Sequence, residues 1–140
     1  MSKENIIFDF KVMYPGSTPT PTLNLIVEDL EGINSSTITA EVDTGFEGAL
    51  LVPINVYNKL ELMKSQLPPD FKNVAITASG EQIELFSAYA KLSIQNLINN
   101  LEIEIDAHST CHHPLIGREL LSVLITIIHG PKQIIEFEMI

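Results

Sequence analysis

The stretch Ala40-Glu41-Val42-Asp43-Thr44-Gly45-Phe46-Glu47-Gly48-Ala49-Leu50-Leu51-Val52-Pro53 decides the fold. An acidic residue ends one apolar run, a turn carrying Gly45 and Gly48 follows, and a second apolar run starts at Ala49. Short apolar runs bounded by turn formers read as strands, so Asp43 stands where one strand gives way to the next. A carboxylate at such a turn is held by rigid scaffold on both sides, and glycine lets backbone approach it closely. Three residues, D-T-G, are a weak motif by themselves, and an ordinary turn capping a strand has the same sequence.

The rest of the chain has the texture of that stretch. Ile6 to Met13 alternates loosely, and a Pro/Thr-rich turn or loop runs from Tyr14-Pro15-Gly16 to Thr22. Leu23 to Glu28 and Ser36 to Val42 are predicted strands, joined by a hairpin connection over Asp29 to Ser35 that contains Gly32 and Asn34. Val74 to Thr77 and Gln82 to Phe86 form a second hairpin around Ala78-Ser79-Gly80-Glu81. Ala88 to Ile94 and Leu101 to Ile105 continue the series across a polar turn at Asn99-Asn100, and Gln133 to Ile140 ends it.

Two segments depart from the strand pattern. From Pro53 to Gln66, Val56, Leu60, Met63 and Leu67 recur at helical spacing until Pro68-Pro69 stops them, which predicts a short helix within 53–66. Arg118 to Ile128 reads as helix or strand, and Gly117 before it with Gly130-Pro131 after it suits a helix of about three turns. With no repeat or linker, the expectation is an all-β single domain over 1–140.

Composition narrows the function. Eight basic residues against 18 acidic ones give a net charge of -10, a surface that repels phosphate, so neither nucleic acid nor an anionic membrane is an expected partner. The one cysteine, Cys111, has no intrachain partner, and Met1 to Asn5 lacks a secretory pattern, which makes the cytoplasm the default compartment. The apolar run Leu120 to Ile128 is about half of what a helix needs to cross a bilayer.

Further along stands Pro114-Leu115-Ile116-Gly117-Arg118-Glu119-Leu120-Leu121, an apolar pair and a glycine leading into a helical pattern. Between it and Asp43 lies the glycine-bearing hairpin Ile76-Thr77-Ala78-Ser79-Gly80-Glu81-Gln82-Ile83. These three features in this order, over roughly Ser36 to Glu138, resemble the retroviral-type (retropepsin-like, clan AA) aspartic peptidases, and the triplet with Phe46, Gly48 and Pro53 looks most like their small prokaryotic members. The resemblance implies a closed retropepsin-like acid-protease barrel with one short helix after the second signature. It implies that Asp43 is catalytic, that Thr44, Gly45, Leu115, Ile116 and Gly117 support the active site, and that Ala78, Ser79 and Gly80 form a flap over substrate. Arg118 is then expected in a structural ion pair. No metal or other cofactor is required.

No second D-T-G or D-S-G triplet exists, and Asp9, Asp29, Asp70 and Asp106 lack such a context. A two-carboxylate site therefore needs two chains, and closed two-fold symmetry brings a residue near the axis against its own copy. The resemblance implies a homodimeric endopeptidase cutting extended polypeptides, with the terminal segments Ile6 to Phe10 and Ile134 to Ile140 as interface candidates. Two other readings stand beside it: a catalytically silent dimer that grips peptides, and a metal-binding regulator using His108, Cys111, His112 and His113. In an extended strand Cys111 and His113 would share a face that His112 would not.

Overall fold

The computed structural model describes residues 3–7, 22–68, 74–77, 79–95, 97–129 and 134–139. Eleven strands, β1 (Lys3–Ile7), β2 (Thr22–Glu28), β3 (Ser35–Val42), β4 (Leu50–Pro53), β5 (Val74–Ile76), β6 (Gln82–Glu84), β7 (Phe86–Ile94), β8 (Ile98–His108), β9 (Leu115–Ile116), β10 (Leu124–His129) and β11 (Ile134–Met139), account for most of the described chain. Two short helices, α1 (Ile54–Lys59) and α2 (Arg118–Leu121), and a 3-10 turn over Leu62–Ser65 make up the rest of the regular structure. The fold is all-β. Six strands close on themselves in the order β2-β3-β9-β4-β8-β7, β1, β11 and β10 form a separate antiparallel sheet, and β5 with β6 forms a lone hairpin.

Period-two alternation puts one side of each barrel strand inward. Leu23, Leu25 and Val27 of β2, Leu50 and Val52 of β4, Ala88, Ala90 and Leu92 of β7, and Ile105 and Ala107 of β8 meet in one buried cluster. Each leucine or isoleucine removed from water there contributes about 1.5–3 kcal/mol. The β2–β3 connection is locked by Asp29, whose Oδ1 accepts from Ile33 N at 2.8 Å and Asn34 N at 3.2 Å, and whose Oδ2 accepts from Lys64 Nζ at 3.1 Å. The hairpin is thereby tied to the 3-10 turn that follows α1.

Three expectations need correction. The helix within 53–66 exists only as Ile54–Lys59, because Glu61 takes a left-handed conformation (φ 54°) and the chain continues as the 3-10 turn. The turn between β7 and β8 is not at Asn99-Asn100. It closes at Ile94↔Ile98 with Leu97 N donating to Ile94 O, while Asn100 sits inside β8 at φ 53°, a conformation asparagine tolerates, with its N–H on Ser93 Oγ. A short helix does follow Gly117, but it ends at Leu121, and Leu124 to His129 is a strand. The β-branched run Ile125 to Ile128 favours pairing with β11 over a further two turns of helix. His108 to His113 is a loop before β9: β8 ends at His108, and Cys111 N closes a turn on His108 O.

Predicted strand boundaries elsewhere move by one to three residues. The loop from Tyr14 towards Pro21 lies outside the described residues, as do Asp9, Asp70 and Gly130-Pro131. Of the terminal candidates, Ile6 and Ile7 are in β1 and 134–139 in β11. The two pair with each other within the chain, Lys3↔Glu138 through Ile7↔Ile134.

Candidate functional site

β3 runs into Asp43 and β4 leaves at Leu50, and the two are held apart by β9, which lies parallel to β3 (Val42↔Ile116) and antiparallel to β4 (Leu50↔Ile116). Backbone bonds stitch the seven residues between them to the Leu115-Ile116-Gly117 segment. Asp43 N donates to Ile116 O (2.9 Å), Gly117 N to Ala49 O (3.0 Å), Arg118 N to Phe46 O (2.8 Å) and Glu119 N to Gly48 O (3.2 Å). Gly117 is required by this closeness, since a Cβ there would overlap Gly48 O and lie 2.7 Å from Phe46 O. Two segments some seventy residues apart in sequence thus form one bonded unit.

Within it, Asp43 is half-buried and its Oδ1 accepts from Gly45 N at 2.8 Å, while Phe46 N returns to Asp43 O at 3.2 Å. The carboxylate is therefore oriented by the turn it heads, with Oδ2 on its other side. Thr44 and Gly45 are exposed, Leu115 is half-buried, and Ile116 and Gly117 are buried. Arg118 Nη2 lies 3.2 Å from Glu47 Oε1, with both side chains mostly in water. The pair joins the residue after the second segment to the turn that follows Asp43.

The β5–β6 hairpin carries its tip at Thr77 to Glu81, closed by Thr77 N to Glu81 O (2.9 Å) and Gly80 N to Thr77 O (2.9 Å), with Gly80 at φ 86°. Ser79 and Gly80 are exposed at the tip, and Ala78 lies outside the described residues. Val74 and Ile76 are 53 % and 70 % exposed, unusual for large apolar side chains on a hairpin. Between this hairpin and the Gly45–Gly48 segment is an open cleft of about 380 Å³, whose lining includes Leu85, Asp106 and Glu119. A second cleft, of about 320 Å³, runs from Ala75, Ile83 and Leu85 to His112, His113 and Leu115.

Two solved structures are similar to this chain in fold. A retropepsin-like aspartic protease from Rickettsia conorii superimposes at a TM-score of 0.63 with 19% identity, over 97% of this chain and 91% of that one. EIAV protease complexed with the inhibitor HBY-793 does so at 0.54 with 18% identity, over 79% of this chain and 92% of that one. This is a retropepsin-like fold. No protein-family model and no curated protein sequence matches the chain.

In this retropepsin-like frame the two signatures and the hairpin between them, which the sequence placed far apart, lie around one region. The histidine segment lies beside it as a loop: His108 Nδ1 is 2.7 Å from Thr110 Oγ1, and Cys111 Sγ donates to His113 O. Burial pushes the Cys111 thiol up, against the bond to His113 O. Among the described residues no three His, Cys, Asp or Glu side chains are grouped to hold a metal, and no helix is long and apolar enough to cross a membrane.

Sequence reading missed Asp106 and Glu119. Alternation along β8 sets Asp106 with Glu102 and Glu104 on the outside of the barrel, the expected place for a carboxylate. Only the folded chain covers that outer face with the Phe46–Gly48 turn and with Ser87, whose Oγ donates to Asp106 Oδ1 at 2.7 Å, leaving Asp106 1% exposed. Partial withdrawal from water, then the nearby charges of Glu104 and Asp106, raise the Glu119 carboxyl.

Proposed function

We propose that the chain is one subunit, a single domain with one half-site, of a homodimeric aspartic endopeptidase, in which Asp43 and the partner's Asp43 share one proton and activate water. The observation that carries this reading is the Asp43-Thr44-Gly45 turn, braced by Leu115-Ile116-Gly117, whose Gly45 and following residues to Gly48 line an open cleft shared with the β5–β6 hairpin. Two carboxylates a few ångströms apart resist ionising together, so one keeps its proton while the other acts as base. The ionised carboxylate takes a proton from water as the water oxygen attacks the peptide carbonyl. The protonated one hydrogen-bonds the carbonyl oxygen, and collapse of the tetrahedral diol breaks the C–N bond as the amine nitrogen is protonated.

Other features fit these roles. Thr44 and Gly45 keep backbone close to the carboxylates, and Ser79 and Gly80, with Ala78, are the flap that covers an extended substrate, whose backbone pairs with the hairpin. Val123, Ile125 and Ile127, on and just before β10, are 42 %, 46 % and 44 % exposed, apolar surface beside the paired terminal strands that a second copy would cover. Arg118 with Glu47 ties the second segment to the catalytic turn.

The test is cleavage of unfolded casein across acidic to neutral pH, with and without pepstatin. Activity that is blocked by pepstatin, abolished in Asp43→Asn and lost on dilution supports the shared site. Peptide binding without cleavage, or a stable monomer that cleaves, refutes it.

A further inference from the structure

β1, β11 and β10 form a sheet apart from the barrel, and register fixes its order. β11 lies in the middle, paired to β1 from Lys3↔Glu138 to Ile7↔Ile134 and to β10 from Leu124↔Met139 to His129↔Ile134. Each chain therefore completes its own terminal pairing, and the sheet keeps two edges. The β1 edge begins Lys3-Glu4, charges of the kind that discourage pairing with another chain. The β10 edge, Leu124-Ile125-Thr126-Ile127-Ile128-His129, has no Lys, Pro or carboxylate and is rich in β-branched residues, and no strand lies on its outer side among the described residues. Ile125 and Ile127, with Val123 just before them, leave apolar side chains in water.

We infer that two copies join through β10, edge to edge and antiparallel about a two-fold axis, in one six-stranded sheet that runs β1-β11-β10 and then β10-β11-β1 of the partner, with no exchange of terminal strands. The inference rests on the homodimeric reading and states how the two chains meet. Alternate residues of an edge strand offer unpaired N–H and C=O groups, and an identical strand turned end for end is their complement, since its donors meet these acceptors and its acceptors these donors. Charge favours the same edge. A chain of net charge -10 repels its own copy in general, but β10 brings no carboxylate to the join, and Glu136 and Glu138, opposite Ile127 and Ile125 in register, lie one strand back on β11. The edge is also tied to the half-site. Arg118, the first residue of α2, donates its N–H to Phe46 O, and Leu124 at the start of β10 is buried in one cluster with Ile116 and Leu120. β10 and Asp43 thus belong to one packed unit, and whatever pairs two β10 strands sets the distance between two Asp43 side chains.

The experiment is mass in solution by analytical ultracentrifugation over a range of concentrations, on the full chain and on Ile125→Lys with Ile127→Lys. The two lysines replace exposed residues, so far-ultraviolet circular dichroism should be unchanged, while the dimer Kd should rise at least about hundredfold. Amide hydrogen exchange on the parent, at concentrations below and above that Kd, gives a second readout that needs no variant. Dimerisation should add at least about tenfold protection along Leu124–His129 and less along Lys3–Ile7, whereas terminal strands exchanged between chains would add it to both. A dimer that the lysines leave intact, or one that protects Lys3–Ile7 as strongly as β10, overturns the inference and leaves the homodimeric reading standing. A parent chain that stays monomeric at every concentration overturns both. A dimer that the lysines dissociate but that cleaves no casein upholds the interface and refutes the peptidase.

Discussion

Replacing Gly117 by alanine tests whether the bonded unit under Asp43 is as tightly closed as its geometry states. The backbone at Gly117, φ -105° and ψ -179°, is open to alanine, so the whole penalty is steric. The added methyl would overlap Gly48 O and crowd Phe46 O, and ordinary van der Waals contact requires the 46–48 segment to withdraw by on the order of 1 Å. That movement lengthens the bonds from Arg118 N to Phe46 O (2.8 Å) and Glu119 N to Gly48 O (3.2 Å), and strains that from Gly117 N to Ala49 O (3.0 Å). Overpacking costs about 1–3 kcal/mol, two or three weakened bonds add about 0.5–1.5 kcal/mol each, and the lost freedom of the unfolded chain returns about 0.4–1 kcal/mol. At mid-range these terms leave a net destabilisation of about 4 kcal/mol, which for a chain of this size lowers Tm by roughly 13 °C. The protein has no tryptophan, so far-ultraviolet circular dichroism is the appropriate readout. Gly80→Ala is the internal contrast: its φ of 86° is strained for alanine but nothing lies within 4 Å, so it should cost only about 1–2 kcal/mol. A Gly117→Ala protein melting within about 3 °C of the parent would refute the close approach.

Two further outcomes are expected. Burial alone would raise the Asp29 carboxyl, but the Lys64 ammonium and the Asn34 and Ile33 amides outweigh it and hold the group at about 2, below its ordinary 3.8. The stability this gives is complete above pH 3.8 and is lost as pH falls through about 2, so the gap in urea midpoint between the parent and Asp29→Asn should be constant at neutral pH and vanish near pH 2. A gap that persists at pH 2 would exclude the charge as its cause. Arg118→Gln removes an ion pair whose side chains are 55 % and 86 % exposed, so it should change stability by less than about 1 kcal/mol, and less still in high salt. A larger loss in a urea titration would mean that Arg118 holds the turn by more than its pairing with Glu47.

Local chemistry was enough to read much of this chain. The runs around Leu23 to Val42 and the hairpins at Asp29 to Ser35 and Ala78 to Glu81 follow from strand and turn preferences that act over a few residues, while the pairing of Asp43-Thr44-Gly45 with Leu115-Ile116-Gly117 was legible only through a family resemblance. Where local preference was divided, as from Arg118 to Ile128 or around Asn99-Asn100, partners distant in sequence decided: β11 drew Leu124 to His129 into a strand, and β7 drew Asn100 into β8. What only the tertiary structure decided is which distant segments share space. Placing Leu115-Ile116 between β3 and β4 fixes how closely Gly117 meets Gly48. Folding the Phe46–Gly48 turn over β8 converts Asp106 from a surface acid into a buried one. Sequence carries residue type and spacing, but close contact and burial arise from packing between elements, and those set the charge and shape of the cleft.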